Sequence, residues 1–245
     1  MLEIAVNAAQ KAGERILSLQ GAVDGEIKND GSPVTEADRQ ASTIITDALN
    51  TTKIPILNEE TYEQEYEPRE NLWVVDPLDG TKEFIKGKDE YTVNIAYVEE
   101  GTVLYGVIFV PAKRILYYGG VTTPSVKVKD ETERRIFVDP SVSVGMGSAS
   151  HPDERVSSLY DDIGIARLKS AGSSLKGCYV AEGKASIYAR FHSLWEWDVC
   201  AMQGVIEGAG GVMVPIQGGR LRYGKDVPRS QPFIAAAGPE LISNH

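Results

Sequence analysis

Short apolar runs of strand length alternate with segments of helical period along both halves of this chain, and that alternation confines it to a layered α/β (α+β layered) architecture. Residues 1–20 read as an amphipathic helix, with Leu2, Val6, Ala9, Ile16 and Leu17 near helical spacing and Gly21 as a stop. Glu3, Lys11, Glu14 and Arg15 interrupt it, so it is not expected to be a signal peptide. A polar loop is expected at 28–33. Thr35 then caps a second helix carrying Ala41, Ile44, Ile45, Ala48 and Leu49, able to pair with the first.

From Ile54 the period changes. Residues 54–57 and 72–75 read as strands, 91–98 and 103–110 as a hairpin around Glu100-Gly101, and 115–118 as its extension. Residues 121–133 are polar and read as irregular, which puts a boundary between an N-terminal half, 1–135, and a C-terminal half, 136–245. In the second half 144–148, 185–189, 212–215, 220–223 and 233–237 read as strands. Residues 152–160 and 197–209 read as helices, as does a segment opened by Gly172-Ser173-Ser174 and running to Ala181.

The chemistry concentrates in Trp73-Val74-Val75-Asp76-Pro77-Leu78-Asp79-Gly80-Thr81. An apolar strand delivers Asp76, and Pro77 is expected to end the ladder in a turn. Asp79 follows three positions on, Gly80 lets backbone approach a ligand, and Thr81 starts a short helix. Two carboxylates at a helix start suit a hard cation, which takes oxygen ligands, together with a phosphate held by free amides. Further acidic groups stand at element ends: Glu59 and Glu60 close the strand before, and Asp198 lies in Trp195-Glu196-Trp197-Asp198 where a helix begins. By themselves an Asp-Gly turn and a helix N-cap account equally for Asp79 and Asp198.

Other chemistries lack their residues. His151, His192 and His245 show no HxxxH spacing, which removes most zinc-hydrolase and Ser-His-Asp readings. There is no GxxxxGK[ST] loop, and no GxGxxG follows a strand. A net charge of −10 disfavours a nucleic-acid polymer or an anionic membrane as partner. No window of 18 apolar residues suggests a membrane span. Cys178 and Cys200 form no CxxC pair and read as buried, inert thiols of a cytoplasmic protein. An oxygen-only, metal-assisted site is what remains.

The run Asp76-Pro77-Leu78-Asp79-Gly80-Thr81, with Asn58-Glu59-Glu60 before it and Trp197-Asp198 after it, resembles the inositol monophosphatase superfamily over nearly the whole chain. The resemblance implies a five-layered α-β-α-β-α sandwich of two α/β halves, two or three Mg2+ ions per site, and hydrolysis of a small phosphate monoester by a metal-activated water. It implies Glu59, Asp76, Asp79 and Asp198 as carboxylate metal ligands and Leu78 as a carbonyl ligand. Thr81 would orient the water, and the Gly80 and Thr81 amides would hold phosphate. Val34-Thr35-Glu36-Ala37-Asp38 is similar to the superfamily's VTxxD stretch, which makes Asp38 catalytic alongside Thr81 and Glu59; the same residues fit a capping box, and both roles are compatible.

Thr81-Lys82-Glu83-Phe84-Ile85-Lys86, Glu90-Tyr91-Thr92-Val93-Asn94-Ile95 and Gly172-Ser173-Ser174-Leu175-Lys176 are similar to the 3'(2'),5'-bisphosphate nucleotidase branch, which acts on 3'-phosphoadenosine 5'-phosphate. This implies substrate contacts from Gly172, Ser173, Lys176 and Arg190. Arg190 replaces a glutamate typical of inositol phosphatases, and a guanidinium suits a second phosphate; a surface ion pair is its plainer use. The chain departs from the branch at Ala149, where an arginine is usual, and at Gln231-Pro232, where Asn-Pro is usual. These departures keep three alternatives in view: an inositol-1-monophosphatase, a broad sugar phosphatase of the fructose-1,6-bisphosphatase kind, and a non-catalytic phosphate-binding protein. The partner is a small phosphorylated metabolite, and a homodimer is compatible with the sequence.

Overall fold

The computed structural model describes residues 1–22, 25–27, 33–62, 67–148 and 153–242. Residues 28–32 of the loop expected at 28–33, Ala149, His151, His245 and the first residue of the helix expected at 152–160 lie outside the described residues, while Pro33 belongs to a short strand instead.

Helix α1 (Leu2–Leu19) buries a stripe of small residues, Ala5, Ala8, Ala9, Ala12 and Ile16, while Leu2, Val6 and Leu17 flank it half-buried. The spacing of three and four fixes one face, and the alanines let a neighbour approach closely. That neighbour is α2 (Glu36–Asn50), which presents Ala37, Ala41, Ile45 and Leu49. Arg15, late in α1, donates to Gln40, early in α2, so the two run antiparallel. Between them β1 (Glu26–Ile27) and β2 (Pro33–Val34) form a short antiparallel pair.

Seven strands follow in sequence order: β3 (Ile56–Asn58), β4 (Leu72–Asp79), β5 (Thr92–Glu99), β6 (Thr102–Val110), β7 (Ile115–Gly120), β8 (Thr123–Lys129) and β9 (Thr132–Arg135). Only β3 and β4 pair in parallel. Helix α3 (Thr81–Ile85) sits between β4 and β5. Alternate residues divide the sheet's faces. Trp73, Val75, Ile95 and Val107 meet α1 and α2. Leu72, Val74, Ala96 and Ile108 face a second core.

The second sheet has the order β11 (Arg167–Ala171), β10 (Val144–Ser148), β12 (Ile187–Arg190), β14 (Phe233–Ala236), β13 (Val212–Pro215). Helices α5 (Leu175–Ala181) and α6 (Cys200–Gly208) fill the space between the sheets. Helix α4 (Glu154–Asp162) covers the far face, where Val156, Leu159 and Tyr160 meet Ile187, Ala189, Ile234 and Ala236. The order is therefore helix pair, sheet, helix pair, sheet, helix: the five layers expected. Two glycines let α6 lie on β6. A Cβ on Gly204 would stand 2.5 Å from the Gly106 nitrogen, and one on Gly106 would stand 2.0 Å from the Ala201 carbonyl oxygen.

Four expectations are corrected. Residues 121–133 are not irregular; they supply β8 and the first half of β9. Their turn, Asp130-Glu131, takes positive φ of 49° and 60° without the glycine or asparagine that marks such turns, which hid the hairpin. Residues 220–223 do not form a strand. Leu221 and Tyr223 are buried in alternation, but their segment finds no strand to pair with and is tied to the Glu100-Gly101 turn instead. The strand expected to stop at Asp76 continues to Asp79 through a bulge. The helix expected from Trp197 begins at Cys200. The exposed edge strand β11 gave no apolar signal beyond Leu168 and Ala171.

No helix among the described residues is long and apolar enough to cross a membrane. Cys178 and Cys200 are free and fully buried, and burial pushes both thiols well above their usual range. The thiolate is the reactive form, so a disulfide reagent at pH 8 should label neither cysteine in the native protein and both in denaturant. Rapid native labelling of either would contradict this packing.

Candidate active site

Five element ends converge on one cleft between the sheets: the C-terminal ends of β3, β4, β11 and β12, and the turn before α6. The bulge in β4 is the first device. Asp76 pairs with Asn94 and Asp79 with Thr92, so Pro77 and Leu78 are squeezed out of the ladder. Pro77 has no N–H to lose there. The Leu78 N–H turns back to Asp76 Oδ1 at 3.0 Å, which fixes the Asp76 carboxylate. Gly80 follows at φ 95°, a left-handed conformation that glycine adopts freely, and it caps α3. A side chain there would also strike Ser173 Oγ, 2.4 Å from the Cβ position.

Carboxylate oxygens of Asp76, Asp79 and Asp198 lie within 4.8 Å of one another. Asp198 does not cap α6. Its Oδ2 accepts the Trp195 N–H at 2.9 Å within the tight turn 195–199. Glu59 stands in the single 3-10 turn Glu59–Thr61 after β3, positioned by Asn58, whose side chain caps that turn and donates to Ser42 on α2. An aromatic cluster ties this turn to the Asp198 turn. Trp195 and Trp197 stack at 4.8 Å, and Tyr62 packs against both at 5.6 and 5.5 Å. Arg229 covers the Trp195 ring.

The electrostatics are those of an unsatisfied anionic cluster. Burial, then the neighbouring Glu59, Asp79 and Asp198 carboxylates, push Asp76 well above the usual carboxylate range. Burial, then Asp79 and Glu59, do the same to Asp198. Burial also raises Asp79, opposed by the Lys176 ammonium and by hydrogen bonds from Asn94 and Ser174. Among the described residues Lys176 and Arg229 offset this charge only in part, and a hard divalent cation with its preference for several carboxylate and carbonyl oxygens fits the group.

Thr81 stands beside the cluster. Its hydroxyl reaches Asp38 Oδ1 at 2.9 Å and the Leu78 carbonyl at 3.2 Å. Asp38 is 1% exposed and is raised by its burial. Its other oxygen accepts the Thr35 N–H at 2.7 Å and hydroxyl at 2.6 Å. Asp38 therefore closes the capping box with one oxygen and holds the Thr81 hydroxyl with the other.

On the far side of Asp79 lies a cavity of about 210 Å³ whose walls include Gly80, Lys82, Gly172, Lys176, Arg190 and Asp198. Lys176 is 8% exposed; its ammonium donates to the Ser173 and Ala171 carbonyls and lies over the Tyr188 ring. Burial lowers its pKa, and Asp79 opposes that. Arg190 ends β12 with a buried Nε that has no hydrogen-bond partner among the described residues. The polar groups of Gly172 and Ser173 are already engaged. The Gly172 N–H meets Glu90 Oε2 at 3.0 Å, and Ser173 Oγ lies 2.8 and 2.9 Å from the Asp79 and Glu90 carbonyls. The candidate ligand and substrate residues named from the sequence are thus brought together around this cleft, while Ala149 lies outside the described residues. Asn94, Ser174 and Glu90, which hold the others, were not singled out. Only a buried polar residue on an apolar strand, Asn94 in Val93-Asn94-Ile95, could have signalled one of them.

A model of the inositol monophosphatase family matches residues 1–244. The 3'(2'),5'-bisphosphate nucleotidase CysQ of Salmonella typhimurium is 38% identical over 234 residues, covering 91% of this chain and 94% of that protein. The enzyme of the same name from Escherichia coli K12 is 37% identical over 234 residues, with the same coverage of both chains. Among solved structures, CysQ from Bacteroides thetaiotaomicron superposes with a TM-score of 0.81 at 35% identity, covering 96% of each chain. An IMPase from Thermotoga maritima also superposes at 0.81, with 25% identity, covering 99% of this chain and 95% of that one.

Proposed function

The chain belongs to the inositol monophosphatase family, a family of metal-dependent phosphatases, and we propose that it is a magnesium-dependent 3'(2'),5'-bisphosphate nucleotidase whose substrate is 3'-phosphoadenosine 5'-phosphate. One observation carries the choice of a bisphosphate. Lys176 and Arg190, together with Lys82 and Lys88, line the same cavity as Asp79 and Asp198, and the Arg190 Nε is buried with no hydrogen-bond partner among the described residues. A buried donor without an acceptor is unfavourable by about 1–3 kcal/mol, which an arriving phosphate oxygen would relieve. The names of the bacterial relatives support the same reading.

The roles follow from the geometry. Glu59, Asp76, Asp79 and Asp198, with the Leu78 carbonyl, would hold two or three Mg2+ ions. The bound cations would supply charge neutralisation on the phosphoryl oxygens and a water of lowered pKa. The amides of Gly80 and Thr81 would receive phosphate oxygens at the start of α3. The Thr81 hydroxyl, donating to Asp38, would have its lone pairs left to accept a hydrogen bond from the attacking water and so to aim it, with Glu59 in the neighbouring turn. Residues 1–135 then supply most cation ligands, and 136–245 supply Asp198 and the cations that read the substrate. We place this chemistry in the cytoplasm.

The test is a panel of 3'-phosphoadenosine 5'-phosphate, inositol 1-phosphate, fructose 1,6-bisphosphate and histidinol phosphate, compared by kcat/KM with magnesium. The first should lead. Arg190→Glu sets a like charge against the second phosphate and should cost several kcal/mol at most, about 10²–10³-fold in kcat/KM, on that substrate. Activity on inositol 1-phosphate should hold or rise. An equal fall on both would assign Arg190 to the fold or to the common site. A wild-type preference for inositol 1-phosphate would overturn the nucleotidase reading directly.

A further inference from the structure

Asp79 is gripped through one oxygen from both halves of the molecule. Asn94 Nδ2 on β5 donates to Asp79 Oδ2 at 3.3 Å, Thr92 Oγ1 approaches the same atom at 3.5 Å, and Ser174 Oγ, just before α5, donates to it at 3.3 Å. The next residue back, Ser173, reaches the Asp79 main-chain carbonyl. A carboxylate with one oxygen engaged in this way presents the other in a defined direction. Asn94 and Ser174 are 1% and 2% exposed, so neither donor is there for solvent. Asn94 has a second feature: its Oδ1 is buried and accepts from no described donor. An amide oriented to donate to a carboxylate must turn its carbonyl elsewhere, and a hydrated magnesium ion beside Asp79 carries the water protons which that carbonyl lacks.

We propose that Asn94 and Ser174 are positioning residues that together pin Asp79 Oδ2, fix which oxygen is offered to the cation, and so set magnesium affinity from both sides of the interface between the halves. The proposal rests on Asp79 as a cation ligand. It goes beyond that reading by making the site's affinity depend on Ser174, which belongs to the half that carries the substrate cations. Partners that orient a ligand in this way typically change metal affinity by about 10–100-fold when lost.

The experiment measures magnesium binding calorimetrically on the full metal-free chain, in parallel with the rise in Tm on adding magnesium, so that neither readout needs turnover. Ser174→Ala and Asn94→Leu should each raise the magnesium Kd about tenfold or more. Ser174→Thr, which keeps the hydroxyl, should stay within about twofold of wild type. A purely structural role would lower the metal-free Tm and leave Kd alone. If Asn94→Leu does not fold, Ser174→Ala against Ser174→Thr decides. An unchanged Kd in Ser174→Ala, or equal losses in the alanine and threonine variants, overturns the proposal. A wild-type chain that binds no magnesium would remove the proposed function along with it. Tight wild-type binding with indifferent variants would remove the proposal alone.

Discussion

Asp76→Asn or Asp198→Asn should lower kcat by about 10³-fold or more at saturating magnesium, since a lost cation ligand removes several kcal/mol of transition-state stabilisation. The metal-free variant should nonetheless be at least as stable as the metal-free wild type. Both carboxylates are pushed upward by burial and by their acidic neighbours, so in the absence of a cation each opposes folding at neutral pH. An amide of the same shape relieves that repulsion. In the first variant the introduced amide oxygen could still accept the Leu78 N–H, and in the second the Trp195 N–H, so the local turns survive. The two measurements therefore move in opposite directions: turnover collapses while metal-free Tm holds or rises. Near-wild-type kcat in either variant would sink the assignment of these aspartates to a cation.

Thr81→Ala should lower kcat by roughly 10²-fold or more with little change in KM, the scale of losing a positioned proton-transfer group. The hydroxyl matters in the transition state because it is already oriented, with its hydrogen shared between Asp38 Oδ1 and the Leu78 carbonyl. Thr81→Ser keeps the oxygen but loses the methyl group that restricts its rotamers, and should fall between the two. A change confined to KM would make Thr81 a phosphate ligand or a helix residue only. The comparison is cleanest at fixed saturating magnesium, where loss of cation affinity cannot pass for loss of chemistry.

Much of the candidate site is legible because its residues are clustered in sequence and chemically unusual. Asp76, Asp79, Gly80 and Thr81 fall within six positions, and the turn that joins them carries residue types its backbone favours: Gly80 at positive φ and Pro77 where the ladder skips. The strand reading fails at this same point. Pro77 signals the end of a ladder, whereas the chain bulges and resumes pairing at Asp79. That bulge aims two carboxylates three residues apart into one cluster. Residues 121–133 escape a strand reading for a different reason. A charged edge hairpin carries too few apolar residues to show its period, and its turn uses acidic residues at positive φ.

The sequence by itself determined the class of the protein. Alternating periods required layers, the excluded motifs left an oxygen-only site as the reading, and the Asp76 to Thr81 run with Glu59 and Asp198 marked the candidate ligand set. What only the tertiary structure decided is how the halves share the site. The packing of Tyr62 against Trp195 and Trp197 ties the Glu59 turn to the Asp198 turn, and the convergence of Asn94 and Ser174 on one oxygen of Asp79 links β5 to the segment before α5. The physical reason is that a carboxylate, an amide and a hydroxyl are ordinary residues one at a time. Their chemistry arises from burial beside one another at separations of 15 to 95 positions, which no local pattern encodes.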